Sequence, residues 1–445
     1  MKSKLLTLGL LTYSLMANAQ WIEQATGFAN PSRGIHQIVI VDKSTVWATA
    51  YNGLNTNQTV RDFTVTTNGG TSWKAGKVTG PPNNNNWSCL TAVSANKAWA
   101  VFYKNGGNFL GGGLWHTNNG GQTWTQQQAF GSSSFPNIIY MWDENNGFAQ
   151  GDAVGGEFEI YTTSNGGQTW TLVPGANIPN PLPNEYGLIR ALAVKGNTVW
   201  FGTTEGRIFK SMDKGYTWSV IDLGMPGHYV VELTFANENT GWVLLINATT
   251  SEYIMMRTQD GGNTWDNVTD PMRIHYEITH VPNTVSTLVS SWYDGSTLFG
   301  SAYSLDGGDS WVDIDQNVQH LDVAFLNHTV GWSGGFNIDS TQGGIYKYDG
   351  SFQPTATDVF ESGTEFKVYP NPGNGLFYFS YRTDNNEPIR ITVTDVSGKV
   401  VWEQTYRNKD FTWLRSIDLR DRANGVYVLR LENDGQHTIH KLVKN

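Results

Sequence analysis

Three acidic side chains recur in the second half of the sequence, each a few residues after a histidine. The segments read HYVVEL, HYEITH and HLDVAF and contain Glu232, Glu277 and Asp322. Two carboxyl groups that face each other across a cleft can hydrolyse a glycosidic bond, one as general acid and the other as nucleophile or base. The three residues are therefore candidate catalytic carboxylates of a glycoside hydrolase acting on a neutral polysaccharide.

Other polar and aromatic residues occur in the same kind of segment and are candidate ligand contacts. Acids and aromatic rings that converge on one site suit a sugar or peptide ligand, although the same groups could simply meet water in a hydrated channel. The three histidines lack the short ligand spacing of a zinc site, so no metal is predicted. No glycine-rich phosphate loop is found, so no cofactor is expected. The candidate contacts are His36, Trp87, Tyr140, Arg190, His228, His275 and His320.

The elements that position these residues follow from an internal repeat. An eight-residue pattern, here called the box, occurs six times, as TTNGGTSW, TNNGGQTW, TSNGGQTW, SMDKGYTW, TQDGGNTW and SLDGGDSW. The last residues of successive boxes are 51, 46, 48, 47 and 46 positions apart. Short β-branched and aromatic runs between Gly and Asn turns predict four strands in each period, which is typical of a propeller blade.

The sequence therefore predicts an all-β protein with two folded parts. We expect a seven-bladed β-propeller over residues 20–352, a polar linker over 353–366, and a small Ig-like β-sandwich over 367–445. Trp21-Ile22-Glu23 looks like the strand that follows each box. The N-terminal segment should thus supply the last strand of the last blade and close the ring, which removes an exposed sheet edge.

The box resembles the Asp-box, or BNR repeat, of sialidase-like propellers, in which S/T-x-D-x-G-x-T-W links the third and fourth strands of a blade. A short Asn or Asp side chain can hydrogen-bond backbone amides two residues on, Gly supplies the positive φ, and Trp packs the turn. Because three boxes carry Asn and three carry Asp, the position is predicted to cap a turn and to have no acid or metal-binding role. The predicted structural residues are Asn68, Asn119, Asn165, Asp213, Asp260 and Asp306, with Trp73, Trp124, Trp170, Trp218, Trp265 and Trp311.

The arginines argue against sialidase activity. The resemblance implies three arginines that hold a substrate carboxylate, the first of them in a Y/F-R-I-P segment of the first blade. The most similar segment here is SRGIHQI, around Arg33. Arg207 and Arg257 directly precede boxes and are expected to lie away from the axis. The resemblance also extends to xyloglucan-active endoglucanases, receptors and an assembly factor, so it implies a fold without choosing an activity.

Composition and the N-terminus indicate where the protein acts. Lys2 and Lys4 precede an apolar run and the segment Ala17-Asn18-Ala19, so residues 1–19 are predicted to be a cleaved signal peptide. No other stretch is long and apolar enough for a transmembrane helix. The net charge of −10 and the absence of a basic stripe disfavour nucleic-acid binding. The single cysteine, Cys89, allows no intramolecular disulfide and is expected to be a buried, inert thiol.

The C-terminal segment carries the most specific signal. It contains YPNP followed by Gly-Leu-Phe, then DVSGK, then GVYVLRL. These segments closely resemble the C-terminal sorting domain of substrates of the type IX secretion system of Bacteroidetes. The resemblance implies that residues 367–445 are recognised by that machinery, and that the protein reaches the cell surface or the medium.

Two functions remain open from the sequence. The leading interpretation is an exported propeller that binds a glycan or a protein, either through one site or as an adhesin with several weak contacts. The alternative is the glycoside hydrolase with a carboxylate pair among Glu232, Glu277 and Asp322. The separation of the carboxyl groups, and whether they open to one cleft, should distinguish them.

Overall fold

The computed structural model consists almost entirely of β-strands. Only one short 3-10 turn, Gly175–Asn177, occurs among the described residues. No helix in that part of the chain is long and apolar enough to cross a membrane. The structure describes residues 20–106, 109–268, 277–293, 298–352, 365–369, 371–373, 375–382, 388–406, 413–433 and 436–444.

Strands from residues 21–348 group into four-stranded antiparallel sets. The N-terminal strand is β1 (Trp21–Ala25). The first three sets are β2 (Arg33–Ile40), β3 (Val46–Asn52), β4 (Asp62–Thr66) and β5 (Lys74–Lys77); β6 (Asn85–Ala92), β7 (Ala98–Lys104), β8 (Gly112–Thr117) and β9 (Thr125–Gln127); and β10 (Pro136–Met141), β11 (Gly147–Val154), β12 (Glu157–Thr163) and β13 (Thr171–Leu172).

The next four sets complete this region. They are β14 (Gly187–Lys195), β15 (Thr198–Thr203), β16 (Arg207–Ser211) and β17 (Ser219–Asp222); β18 (His228–Phe235), β19 (Gly241–Asn247), β20 (Tyr253–Thr258) and β21 (Asp266–Val268); β22 (Glu277–His280), β23 (Leu288–Tyr293), β24 (Phe299–Ser304) and β25 (Val312–Gln316); and β26 (Asp322–Asn327), β27 (Val330–Asn337) and β28 (Gly343–Tyr348) with β1.

The sets form a closed ring. The first strand of each set packs against the first strand of the next, and β26 packs against β2. These first strands are therefore the inner strands around an axis, and the predicted propeller fold is confirmed. The N-terminal strand closes the ring as predicted, because β1 pairs with β28 from Trp21↔Tyr348 to Ala25↔Gly344. The indole of Trp21 also donates to Ser301 Oγ at 2.8 Å, in the sixth set.

Apolar side chains fill the spaces between neighbouring sets. Five tryptophans near the start of second strands are fully buried, and each packs against residues of its own or the next set. Trp200, for example, stacks on Phe235 with ring centroids 4.0 Å apart. These five are Trp47, Trp99, Trp200, Trp242 and Trp332. The core therefore holds the inner strands in fixed positions around the axis.

The boxes fold as turns between third and fourth strands, as predicted, with one difference in hydrogen bonding. The Asx side chain accepts from the backbone amide four residues on, not two, as in Ser72 N to Asn68 Oδ1 at 2.9 Å. Two successive residues with positive φ, Gly69 and Gly70, fold the chain back so that this amide reaches the side chain. Asp306 accepts from Ser310 in the same way at 2.9 Å, so amide and carboxylate are interchangeable here.

The C-terminal segment forms two antiparallel sheets of its own. One sheet contains β29 (Glu365–Tyr369), β30 (Leu376–Arg382) and β33 (Trp413–Asp418). The other contains β31 (Ile389–Asp395), β32 (Val400–Tyr406), β34 (Gly425–Asn433) and β35 (Gln436–Lys444), in the order β32-β31-β34-β35. A shared apolar core that includes Phe377, Ile391 and Leu429 joins them. The predicted small β-sandwich is thus present.

Candidate functional site

Charged side chains from four inner strands meet at the axis. Arg190 of β14 places Nη2 3.7 Å from Glu277 Oε1 of β22, and Nη1 3.4 Å from Asp322 Oδ1 of β26. The same guanidinium donates to the backbone oxygen of His36 in β2. Glu232 of β18 lies near Glu277, since the two carboxyl groups shift each other's pKa. We call Arg190, Glu232, Glu277, Asp322 and His36 the axial cluster.

Interruptions of the strand pairing bring these residues to the axis. The register of β18 shifts between Val230 and Glu232, and that of β2 shifts between Ile35 and Gln37, on either side of His36. In β14 the pairing is interrupted from Gly187 to Leu192. A bulge re-aims side chains that regular pleating would direct elsewhere.

Arg190 itself is held in an uncommon backbone conformation. Its φ is +63°, in the left-handed region that residues with a Cβ rarely adopt. Such a conformation persists only where the surrounding structure favours it, and it is frequent at functional sites. Here the contacts across the ring to His36, Glu277 and Asp322 compensate for it. Arg190 therefore ties the fourth set to the first, sixth and seventh.

The three carboxyl groups differ in what satisfies them. Asp322 accepts from the backbone amide of Ile38 at 2.5 Å and lies beside Arg190. Glu277 lies between Arg190 and Glu232. Among the described residues, no cationic group lies within 4 Å of the Glu232 carboxyl. The cluster thus holds one cation and three acids, and Arg190 pairs with two of the three.

Burial sets the protonation of these acids. Desolvation raises the pKa of Glu232 to about 7, against the opposing effect of Arg190. It raises the pKa of Asp322 to about 6, opposed by Arg190 and the Ile38 amide. Burial and the negative charges of Glu232 and Asp322 raise the pKa of Glu277 well above its ordinary value. Burial and the nearby Arg190 lower the pKa of His36, so its imidazole is neutral at pH 7.

A cavity of about 300 Å³ adjoins the cluster. Its walls are formed by β2, β14, β18, β22 and β26. Most of the lining residues of each strand lie between the axial cluster and the C-terminal end of that strand. The cavity therefore extends from the cluster toward the end of the ring that carries the first turn of each set and the boxes. Lys195 and His280 also line it, and neither was predicted. Each directly adjoins in sequence a valine that packs in the core, Val194 or Val281, and this was the available signal.

The remaining candidates lie away from this cavity. His228 begins β18 and contacts Asn247 Nδ2 at 3.1 Å. His320 is buried against Trp21, with Nε2 2.9 Å from Asp315 Oδ2 and Nδ1 bonded to Ser333 Oγ. These two histidines do not converge, and no group of three or more His, Cys, Asp or Glu side chains among the described residues is arranged to hold a metal ion. His275 lies outside the described residues.

The two aromatic candidates pack inside the protein. Trp87 is 4% exposed and its ring lies 4.5 Å from that of Phe102, in the core between sets. Trp87 therefore packs in the core, and its ligand contact stays a prediction. Tyr140 is partly buried beside Trp142, with ring centroids 5.1 Å apart, and burial raises its pKa. Cys89 is buried as expected, which also raises its pKa.

Glycoside hydrolysis requires a defined separation between two carboxyl groups. Retaining enzymes hold them about 5–5.5 Å apart and inverting enzymes about 6.5–9.5 Å apart, with the scissile bond between them. In the axial cluster the guanidinium of Arg190 bridges Glu277 and Asp322. The glycoside hydrolase stays a prediction from the sequence.

The C-terminal segment matches a known family. Residues 367–445 match the model described as the secretion system C-terminal sorting domain. The presence of this domain indicates export to the cell surface or the extracellular space. No curated protein matches the sequence.

Solved structures resemble the propeller. A structure described as YCF48 bound to D1 peptide has a TM-score of 0.51 and 15% identity, over 75% of this chain and 97% of that one. A GH74 enzyme from Niastella koreensis has a TM-score of 0.45 and 14% identity, over 94% and 67% of the two chains. A mutant of Trypanosoma rangeli sialidase gives 0.44 and 10%, over 94% and 87%. At these identities the likeness concerns the fold alone.

Proposed function

We propose that this chain is an exported β-propeller that binds a protein ligand through the axial cluster and its cavity. The predicted signal peptide, residues 1–19, starts export, and the type IX machinery completes it by recognising residues 367–445. The propeller then acts at the cell surface or in the medium as a binding or scaffold module.

One observation carries the proposal. Four ionisable side chains from four different sets converge on one cavity of about 300 Å³, and burial shifts the pKa of all three acids upward. Burying partly compensated carboxyl groups costs folding free energy. Clusters of this kind beside a cavity are typical of functional sites.

The chemistry of the cavity favours a protein ligand over a neutral glycan. Glycan sites generally present aromatic platforms, and the candidate inner-strand tryptophan, Trp87, is packed in the core. The cavity offers carboxyl groups, a guanidinium and Lys195, which suit charged side chains, peptide groups or chain ends. The YCF48 structure, described as bound to a peptide, is a precedent for this use of the fold.

The experiment compares binding by the full chain and two axial variants on peptide and glycan arrays. The isosteric change Glu232→Gln removes one ionisable group, and Arg190→Lys removes the guanidinium fork. We expect the full chain to bind peptides with charged side chains in preference to neutral glycans, and each variant to bind them at least tenfold more weakly. Arg257→Lys is the matched control, because Arg257 lies on a third strand, away from the axis, and its Nη1 is 3.1 Å from Asp309 Oδ1.

Two results would contradict the proposal. Unchanged peptide binding by both folded axial variants would show that the ligand site lies elsewhere. Release of oligosaccharides from a neutral polysaccharide, abolished by Glu232→Gln, would instead establish the glycoside hydrolase.

A further inference from the structure

The last strand of the sorting domain lies at the edge of its sheet. In the order β32-β31-β34-β35, strand β35 pairs with β34 on one side only. The backbone groups on its other side would normally remain open to water or to another strand. Near its C-terminal end, however, three of these groups have partners. They are the oxygen of Lys441 and both the amide and the oxygen of Val443.

The partners are Asn371 and Gly373, which lie between β29 and β30. The side chain of Asn371 donates from Nδ2 to the Lys441 oxygen at 2.6 Å and accepts from the Val443 amide at Oδ1 at 2.8 Å. The amide of Gly373 donates to the Val443 oxygen at 2.9 Å, and Gly373 forms a parallel bridge with Lys444. Asn371 and Gly373 therefore lie along the edge of β35, as residues of an additional strand would.

The chemistry of asparagine explains the choice of residue at position 371. Its side-chain amide has one carbonyl oxygen and an NH₂ group, the same donor and acceptor pair as a peptide group. It can thus satisfy both an N–H and a C=O of the same strand edge, as a neighbouring strand would. Aspartate would keep the acceptor for Val443 and lose the donor for Lys441, and alanine would lose both.

Lys444 fixes the end of the same strand. Its ammonium group donates to the backbone oxygen of Arg420 at 3.1 Å and to that of Arg422, and the residue is 8% exposed. Its aliphatic chain passes directly over Gly375, where a Cβ would lie 2.7 Å from Lys444 Cε. Gly375 also has φ +95°, which favours glycine. Gly375 thus leaves room for the side chain of Lys444.

We propose that Asn371 is a positioning residue for secretion: it holds the C-terminal strand β35 in the sheet, in the form that the secretion machinery recognises. The motif around Asn371 and the C-terminal strand are 70 or more residues apart in sequence, yet they act as one unit. The conclusion is independent of what the propeller binds.

The test measures export and local protection in the full chain. Asn371→Ala and Asn371→Asp are expressed in a bacterium that has a type IX secretion system, and exported and retained protein are quantified. Hydrogen exchange of the Val443 amide is measured on the same purified variants. We expect export to fall at least fivefold for Asn371→Ala and by less for Asn371→Asp. In the alanine variant the Val443 amide should exchange at least tenfold faster, while the Leu429 amide in the core stays protected.

Glu403→Gln is the matched control. Glu403 lies on β32, at the opposite edge of the same sheet and outside the quoted motifs, where it accepts from Arg390 Nε at 2.6 Å. Its replacement should leave export and Val443 protection unchanged. Export at the wild-type level while Val443 exchanges freely would overturn the proposal, as would a protected Val443 in Asn371→Ala. If Asn371→Ala unfolds the sandwich, seen as exchange at Leu429, the comparison rests on Asn371→Asp, whose export must then fall together with Val443 protection.

Discussion

Replacing Glu232 with glutamine is expected to make the propeller more stable at pH 8, although the side chain lies at the centre of the ring. Folding raises the pKa of Glu232 from its ordinary 4.5 to about 7. Between these values the folded state binds more protons than the unfolded state, so the free energy of unfolding falls as the pH rises from about 4.5 to about 7. Above pH 7 the loss is complete.

The size of the effect follows from that pKa change. At about 1.4 kcal/mol for each pH unit, a rise from 4.5 to about 7 corresponds to roughly 3 kcal/mol of stability lost at pH 8. Glutamine cannot ionise, and its amide can donate to the Glu277 carboxyl, which keeps its contact with Arg190. With an unfolding entropy of about 2.1 cal/mol/K per residue, 3 kcal/mol in a domain of this size amounts to about 4 °C in Tm.

Differential scanning calorimetry of both proteins from pH 4.5 to pH 8 provides the measurement. The Tm difference between Glu232→Gln and the wild type should be near zero at the acid end and grow to about 4 °C at pH 8. Glu144→Gln is the control, because Glu144 is a surface residue paired with Lys97, and its difference should remain within 1 °C at every pH. A Glu232→Gln variant that is less stable at pH 8, or whose Tm difference does not change with pH, would refute this reasoning.

Three further changes test the fold. In urea titrations, Asp213→Asn should alter the free energy of unfolding by less than about 0.5 kcal/mol, because an amide can replace the carboxylate in the turn. Asp213→Ala should lower it by about 1 kcal/mol. Equal losses for the two variants would contradict this. Trp21→Ala should lower the free energy of unfolding by about 3–5 kcal/mol, whereas Ile22→Ala, at a half-exposed position, should lower it by less than about 1 kcal/mol. Similar losses for the two variants would show that Trp21 does not stabilise the closure of the ring. Cys89 should react with a thiol reagent only after unfolding, and rapid labelling of the native protein would refute its burial.

The local structure of this protein could be predicted from its sequence. The box sets the turn between third and fourth strands through adjacent residues only, since one Asx side chain, two residues of positive φ and a tryptophan complete it. The period of the boxes predicts four strands per repeat, and the sequence around Trp21 predicts the strand that closes the ring. The sorting domain was predicted for the same reason, since its motifs are short and contiguous. Local signals of this kind do not depend on distant parts of the chain.

The axial cluster was decided by the tertiary structure. Glu232, Glu277 and Asp322 were predicted as acids near the axis, but the contacts of Glu277 and Asp322 with Arg190 join residues up to 132 positions apart. Those contacts depend on ring closure and on bulges that re-aim individual side chains, and the repeat carries no signal for either. The burial of Trp87 and the bonding of Asn371 to the last strand depend in the same way on which surfaces meet after folding. The sequence by itself therefore determined the strands, the turns and the address of the protein, whereas packing between distant segments decided protonation, charge pairing and the cavity.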